Sequence, residues 1–220
     1  MNLVQLTEHV YKSTFMMNPA VNLYVNVWYI KDNDDVYIID TGLPQFAEEQ
    51  IKLAMALGTP KAIFLTHGHG DHITGAQKWV RQFDLPIYAH EDELVYINGE
   101  KPYPGKAEPE KTGVANRVLP LTQDVVANLP IKYYLTPGHA PGHVVYHHEA
   151  DDILLTGDLF TTSVTALQPP IRQFSYDINL NIDKGAIVEE LKPAIIASSH
   201  GEELAYQPYL YPRYVLQYRD

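Results

Sequence analysis

Four groups able to bind a metal ion lie within the seven residues 66–72. The segment reads Thr-His-Gly-His-Gly-Asp-His, and its donors are His67, His69, Asp71 and His72. Imidazole and carboxylate are suitable ligands for zinc, iron or manganese, and the two glycines permit a tight turn around an ion. His67 and His69 can turn toward one ion, whereas Asp71 and His72 can serve a second. The alternative, a polar loop that caps the next helix, does not account for this density of donors.

Three further donors stand at strand ends or turns later in the chain. His139 lies in the Pro-Gly-His-Ala-Pro-Gly-His segment 137–143, Asp158 follows an apolar run, and His200 stands in Ser-His-Gly. A carboxylate can place one oxygen on each of two ions, as a dinuclear centre requires. Each of the three also has a structural interpretation, as a turn histidine, a turn aspartate or an isolated histidine. His143 is interpreted as an outer or packing residue.

The remaining candidates are less specific. Asp40 follows an apolar run and either holds the outer nitrogen of a ligand imidazole or caps a helix. His90 follows a strand end and is left out of the centre. His147 and His148 are predicted at solvated strand positions.

Composition limits the classes of protein that fit. The 220 residues are 45% hydrophobic and 20% charged, which favours one large domain over residues 1–220. There is no cysteine, so any metal is held by histidine and carboxylate groups. The net charge of −11 argues against nucleic acid as a partner, although a small phosphorylated substrate stays possible because an ion supplies local positive charge.

The sequence predicts a soluble, cytoplasmic protein that does not associate with a membrane. Its first residues lack the basic start and apolar run of a signal peptide. The most apolar early stretch, residues 21–30, contains two asparagines and is too short to span a bilayer.

The elements that position the donors follow from hydrophobic periodicity. Residues 21–30 alternate with period two, which predicts a half-buried strand paired in a hairpin with the run 36–39. A helix is predicted to begin at Pro44 and to end at Gly58. The continuous apolar run 62–65 predicts a strand buried on both faces that leads into the first donor loop, after which another helix follows.

The second half of the chain repeats this pattern weakly. Residues 27–38 align with 144–155 at a constant offset, and residues 61–64 resemble 193–196. Each half thus reads as hairpin, helix, strand and donor loop. Two such halves predict an α/β fold with two packed sheets and helices outside, a four-layer αββα sandwich. The turn-rich segment 98–113 is predicted to join the halves over the surface.

Taken together, these residues resemble the metallo-β-lactamase-fold hydrolase superfamily, and most closely its glyoxalase II-like proteins. The marks of that superfamily match Asp40, the His67-x-His69-x-Asp71-His72 loop, His139, Asp158 and His200. By this resemblance His67, His69 and His139 hold one metal, Asp71, His72 and His200 hold the second, and Asp158 bridges them. The resemblance also implies the αββα sandwich.

The resemblance to individual branches is incomplete. Glyoxalase II and the persulfide dioxygenases usually carry a Gly-Cys-Gly-Arg type stretch after the bridging aspartate, and the residues after Asp158 do not match it. The helical extension that glyoxalase II uses to bind glutathione is not expected within these 220 residues. β-Lactamases with a cysteine ligand are excluded by the lack of cysteine. The β-lactamase class with histidine ligands typically lacks the bridging aspartate. A nuclease that processes transfer RNA would need a basic arm.

The resemblance implies a hydrolase with two divalent ions, zinc first with iron or manganese as alternatives. A hydroxide shared by the ions would attack a small ester-like substrate, while Asp71 orients it and carries a proton to the leaving atom. The expected order of substrates is thioester, lactone, phosphodiester.

Two other activities are left open. Asp71-His72-Ile73-Thr74-Gly75 also resembles the loop of persulfide dioxygenases, in which His67, His139 and Asp158 would hold a single iron. A binding protein that has lost activity is the other alternative.

Two segments are candidate walls of the substrate pocket, residues 168–177 and the tail 206–218. The favoured interpretations are a surface loop for the first segment and aromatic packing for the second. The oligomeric state is left open.

Overall fold

The structure is a computed structural model that describes residues 2–18, 20 and 23–219. Its largest sheet has seven strands in chain order, antiparallel from the first to the fourth and parallel thereafter. They are β1 (Leu3–Gln5), β2 (Val10–Asn18), β3 (Leu23–Asp32), β4 (Asp35–Ile39), β5 (Thr59–Phe64), β6 (Ile87–Ala89) and β7 (Val118–Pro120).

The second half forms a five-stranded sheet and a small three-stranded one. The five-stranded sheet has the order β15-β13-β10-β9-β8, and the small sheet has the order β12-β11-β14. These strands are β8 (Lys132–Leu135), β9 (Val144–His148), β10 (Ile153–Leu155), β11 (Thr161–Ser163), β12 (Ala166–Gln168), β13 (Ile195–Ala197), β14 (His200–Gly201) and β15 (Leu204–Ala205).

Eight α-helices and one short 3₁₀ helix, Arg172–Phe174, accompany the sheets in the described residues. The α-helices are α1 (Ala47–Leu57), α2 (Gly70–Ile73), α3 (Ala76–Phe83), α4 (Glu91–Ile97), α5 (Gln123–Val126), α6 (Ile178–Lys184), α7 (Ile187–Leu191) and α8 (Leu210–Tyr218). In the part of the chain that the structure describes, no helix is long and apolar enough to cross a membrane.

Three hydrophobic layers confirm the predicted αββα sandwich. The central layer joins the two large sheets, with Trp28 and Phe64 from one and Tyr146 from the other, all buried. A second layer packs α1 and α3 on the outer face of the seven-stranded sheet. A third packs α6, α7 and α8 on the outer face of the five-stranded sheet. Removal of this apolar surface from water is the main stabilising contribution to such a fold.

The predicted repeat of the two halves is also confirmed. The β3–β4 hairpin, which places Trp28 opposite Ile39, is followed by α1 and then by β5, parallel to β4. The β9–β10 hairpin is followed by α6 and α7 and then by β13, parallel to β10. Each half therefore delivers the chain past the carboxyl end of a parallel strand into a donor loop.

The prediction of a half-buried strand at residues 21–30 is wrong. Val21 and Asn22 lie outside the described residues, and all residues from Val25 to Ile30 are buried. The strand is covered on both faces because its sheet lies between the second sheet and a layer of helices. Asn26 is accommodated by donating from its amide to the carbonyl of Ser198, at 2.9 Å.

The prediction that His147 and His148 are solvated is also wrong, since only 7% and 2% of their surfaces are exposed.

Two helix predictions also need correction. The first helix begins at Ala47, with Pro44 in the turn before it, although Gly58 ends it as predicted. The helix after the first donor loop is broken into α2 and α3 around Gly75, where a Cβ would lie 2.2 Å from the carbonyl oxygen of Thr41.

Candidate metal centre

The donor loops meet at one end of the sandwich. Asp40 follows β4 and the loop that begins at Thr66 follows β5, whereas Asp158 follows β10 and His200 begins β14. The two halves are joined there by a hydrogen bond from the Val144 amide to the Thr66 carbonyl, at 2.9 Å. Carboxyl ends of parallel strands are the usual location of α/β active sites.

One donor group consists of His67, His69 and His139, all buried. Nδ1 of His69 lies 3.1 Å from Nε2 of His67 and 2.9 Å from Nε2 of His139. Burial, with the neighbouring imidazoles, lowers the pKa of His69 to about 4 and holds the pKa values of His67 and His139 well below their usual range. Three neutral rings with converging nitrogens form a set of lone pairs that suits a divalent ion.

The tautomer of His67 follows from its neighbours. The hydroxyl of Thr66 donates to Oδ2 of Asp40 at 2.7 Å. The hydroxyl oxygen of Thr66 also lies 3.0 Å from Nδ1 of His67, and because its proton is given to Asp40 it accepts a proton from that nitrogen. Nε2 of His67 is then left as an acceptor that faces the other two imidazoles. This outer hydrogen bond is the arrangement that orients metal-binding histidines.

The second group contains Asp71, His72 and His200. Oδ2 of Asp71 lies 3.3 Å from Nε2 of His200 and 3.7 Å from Nε2 of His72. Asp158 faces both groups, with Oδ2 3.3 Å from Nε2 of His139 and Oδ1 3.4 Å from Nε2 of His200. The structure thus brings together all seven residues of the predicted ligand set.

Unsatisfied polar atoms support the interpretation of a metal site. Within the described residues, the buried atoms His72 Nε2 and Asp158 Oδ1 have no hydrogen-bond partner. They face each other at 3.5 Å. Buried polar atoms without partners are rare and costly, and an ion between these donors would satisfy both. The donor set therefore fits divalent metal.

Charge in this group is balanced by protons when no ion is bound. Burial lowers the pKa of His200, but Asp158 and Asp71 outweigh it and raise the pKa to about 10. Burial likewise opposes ionisation of Asp71, yet His72 and His200 lower its pKa to about 2. The pKa of His72 is raised well above its usual range despite burial, because Asp71, Asp158 and Asp40 surround it. Divalent ions would replace these protons.

Asp40 holds the outer nitrogen of His72, as predicted. Its Oδ2 lies 2.8 Å from Nδ1 of His72, and its Oδ1 accepts the amide proton of Thr66 at 2.7 Å. The alternative that Asp40 caps a helix is wrong, because α1 begins only at Ala47.

His143 and His90 both lie outside the donor groups. His143 is buried, with Nδ1 2.9 Å from the Thr136 hydroxyl and Nε2 accepting the amide proton of Asp158 at 3.0 Å. Burial lowers its pKa to about 3. This arrangement agrees with its predicted role as an outer residue. His90 accepts the amide proton of Asp92 at the start of α4, at 3.3 Å.

Two residues of the site were missed by sequence reasoning. Glu93 is fully buried and accepts hydrogen bonds from the amides of Gly68 and Gly142, at 2.8 and 2.7 Å. It also accepts from the hydroxyl of Tyr103 at 2.5 Å, and the Tyr103 ring packs against His69 with centroids 4.6 Å apart. Burial raises the pKa of Glu93. One carboxylate thus ties together the two loops that carry the first donor group.

Segment 98–113 lies mostly over the surface, as predicted, although Tyr103 and Thr112 are buried. The prediction that it joins the two halves is wrong, because β7, which follows it, still belongs to the seven-stranded sheet. Lys106 and Glu110 of the same segment line the cavity above the donors. A lone glutamate in a helix and a tyrosine in a turn-rich segment carry no motif that would have marked them.

A cavity of about 910 Å³ opens over the donor groups. Its wall includes the apolar side chains Met17, Leu23, Leu43, Ile171 and Phe174. The interpretation of residues 168–177 as a plain surface loop is therefore wrong. Lys106 lies over the Phe174 ring, with Nζ 4.7 Å from its centroid, so two segments meet at the mouth.

The aromatic tail does not line this cavity. Tyr214 of α8 is buried and packs on Phe160 with ring centroids 5.2 Å apart. Aromatic packing was the favoured interpretation, and the contacts of Tyr214 agree with it.

The fold and the donor groups define a class of metal-dependent hydrolase that is built on an αββα sandwich. A family model described as Metallo-beta-lactamase superfamily matches residues 20–200. The chain belongs to this superfamily, and the predicted family, fold and class of enzyme are confirmed.

Individual relatives agree with this membership. The chain is 60% identical over the full length of both chains to "Probable metallo-hydrolase YybB" of Bacillus subtilis. It is 28% identical to a hydroxyacylglutathione hydrolase of Crocosphaera subtropica, over 62% of this chain and 48% of that one. Among solved structures, the B3 metallo-beta-lactamase BLEG-1 is similar with a TM-score of 0.63 and 26% identity, covering 90% of this chain and 99% of that one.

Proposed function

We propose that this protein hydrolyses a small ester-like substrate, with a thioester favoured, and that it uses two divalent ions, zinc first. The observation that carries the proposal is the position of Asp158 between two separate donor groups. A mononuclear site would leave the second donor group, Asp71, His72 and His200, without a role.

The proposed ligands follow the geometry. His67, His69 and His139 would hold one ion, Asp71, His72 and His200 the other, and Asp158 would contact both. When bound, the ions would supply Lewis-acid activation of water and of the carbonyl group under attack.

The protein's own residues then have distinct tasks. The side chain of Asp71 is 25% exposed and lines the cavity, unlike the fully buried His72. Its low pKa keeps it ionised at neutral pH, so that it accepts a hydrogen bond from the attacking water. Asp71 can take up that proton as the water attacks and then deliver it to the leaving atom. Asp40 and Glu93 hold the ligand imidazoles and loops in position.

The choice of thioester rests on three supports. The motif loops resemble glyoxalase II-like proteins, and one relative is named a hydroxyacylglutathione hydrolase. The apolar wall formed by residues such as Leu43 and Phe174 suits an acyl chain or a thiol leaving group. The net charge of −11 disfavours a polyanionic substrate. Lactone is the second candidate and phosphodiester the third.

The test is a panel assay joined to metal quantification. Protein purified without added metal is analysed for zinc, iron and manganese, and is then assayed with thioesters, lactones and phosphodiesters. The proposal predicts about two zinc ions per chain and turnover of thioesters above the others. About one iron per chain with consumption of oxygen on a persulfide would instead establish the dioxygenase alternative. Full metal content without turnover of any ester would favour the binding protein.

Location and partners stay predictions. A small molecule is the proposed partner, and the sequence predicts a cytoplasmic location without nucleic acid or membrane as a partner. A binding assay with RNA, begun at physiological salt and repeated at higher salt, tests the prediction on nucleic acid. Binding of RNA through a basic surface would weaken steeply as the salt concentration rises.

A further inference from the structure

A second cluster of metal-binding groups lies at the end of the sandwich opposite the centre. It consists of His9, which precedes β2, and of His148 and Asp151 at the β9–β10 turn. One ligand atom from each of the three lies within 4.8 Å of the others. Strand β9 begins at Val144 beside the centre and ends at His148, so about 13 Å of strand separates the two sites.

The cluster is already ordered by hydrogen bonds. Oδ1 of Asp151 lies 2.8 Å from Nδ1 of His9 and 3.6 Å from Nδ1 of His148. Oδ2 accepts protons from the amide of His9, at 2.8 Å, and from the hydroxyl of Thr7. These bonds fix the carboxylate with Oδ1 near both imidazoles. Nδ1 of His148 accepts the amide proton of Asp151 at 3.2 Å, a bond that an ion on this nitrogen would replace. A preorganised carboxylate lowers the entropic cost of binding an ion.

Burial and access suit a bound ion as well. The side chains of His148 and Asp151 are 2% and 4% exposed, whereas that of His9 is 39% exposed. Two ligands are thus held rigidly by the fold, and the third lies at the surface where an ion can enter and water can complete its coordination. The His9 and His148 rings lie with centroids 5.4 Å apart.

The local charge also favours a cation. The carboxylates of Glu8, Asp32 and Asp151 all act on His9, and each raises its pKa. Burial lowers the pKa of His148, and the carboxylates of Asp151 and Asp32 oppose this shift. The proton between His9 and Asp151 therefore occupies a place that a divalent ion can take.

We propose that His9, His148 and Asp151 bind one further divalent ion of the zinc, cobalt or nickel type. Two imidazole nitrogens and one carboxylate oxygen form a ligand set that suits these borderline ions rather than magnesium or calcium. The ion ties the start of β2 in the first half to the β9–β10 hairpin in the second half. This site does not depend on the substrate or activity of the centre.

The test is a zinc titration of the full-length protein after its centre has been loaded and its metal content measured. Calorimetry in a non-chelating buffer at pH 7.5 is expected to show one further equivalent for the wild type. His9→Ala and His148→Ala are each expected to weaken this binding by at least about 10-fold. His90→Ala is the matched control, because that histidine caps α4 and should leave the further equivalent unchanged.

Thermal unfolding supplies a second measurement on the same proteins. Added zinc is expected to raise the Tm of the loaded wild type and of His90→Ala, but not that of His9→Ala, whose side chain is exposed and whose loss should not prevent folding. The proposal is overturned if the loaded wild type takes up no further equivalent. It is equally overturned if both cluster variants bind zinc as the wild type does.

Discussion

Asp158 directs its two oxygens to different imidazoles, with Oδ2 3.3 Å from Nε2 of His139 and Oδ1 3.5 Å from Nε2 of His72. One carboxylate therefore joins the two donor groups, each of which combines residues of the loop 67–72 with a later histidine. His143 fixes this residue by accepting its amide proton at 3.0 Å. The arrangement makes both proposed ion positions depend on a single side chain.

Asp158→Asn should therefore lower the metal content at both positions. An amide has one carbonyl oxygen and no charge, so it cannot serve two ions as a carboxylate does. Activity is expected to fall at least about 100-fold, since even residues that only orient ligands cost 10–100-fold. Metal analysis and kcat/KM measure the two effects. Asp124→Asn, at an exposed position on α5, is the control and should keep the metal content and kcat/KM of the wild type. Equal losses of metal and of activity in the two variants would contradict the account.

Glu93→Gln should weaken metal binding without removing a ligand. The carboxylate accepts from two loop amides and from Tyr103, whereas a glutamine offers one carbonyl oxygen and would direct an NH₂ group at a donor. We expect the affinity of the first donor group to fall about 10- to 100-fold. A competition titration with a chelator measures it. Glu91→Gln, exposed on the same helix, should bind metal like the wild type, and an unchanged affinity in Glu93→Gln would refute its positioning role.

His143 should make the metal-free protein sensitive to acid. Its pKa is lowered by burial to about 3 in the folded state, against 6.5 for the ordinary side chain. Between pH 6.5 and about 3 the unfolded chain thus binds a proton that the folded chain excludes, and stability falls as the pH falls. His143→Gln should remove up to about 1.4 kcal/mol per pH unit of this dependence.

Urea unfolding of both proteins at pH 7.5, 6 and 5 measures the difference. At pH 7.5 the imidazole is neutral in both states, so any difference there reports packing alone. Parallel pH dependence in the wild type and His143→Gln would show that this histidine does not carry the effect.

Phe174→Ala should affect substrate binding more than chemistry. Phe174 lines the cavity mouth and is not one of the proposed ligands, so its loss removes apolar contact with the substrate. Because the side chain is half exposed, we expect about 1 kcal/mol, or about a 5-fold rise in KM with little change in kcat. Tyr209→Ala is the control, an exposed aromatic residue away from the cavity. A large fall in kcat in Phe174→Ala would assign it a role in the reaction.

Much of the centre could be predicted because its donors lie close to regular elements. His67 follows β5 and His200 follows β13, and the repeat of hairpin, helix and strand places both at the same end of the sandwich. The outer role of Asp40 could be predicted for the same reason. Short-range patterns are informative when a strand end fixes where a side chain points.

The remainder depended on tertiary contacts that no local pattern records. Glu93 acts through amides of Gly68 and Gly142, which are far from it in sequence. The burial of His148 results from the approach of the chain near His9, and period-two alternation cannot reveal a second covered face. The loop with Phe174 reads as an irregular surface segment, and no local pattern shows that Phe174 lines the cavity with Lys106 over its ring.

A crystal structure of the protein loaded with zinc, with ions located by anomalous scattering, tests the central claim most directly. The account predicts two ions at this end of the sandwich, one on His67, His69 and His139 and the other on Asp71, His72 and His200, with Asp158 in contact with both. A single ion, or an Asp158 carboxylate that contacts neither, would contradict it.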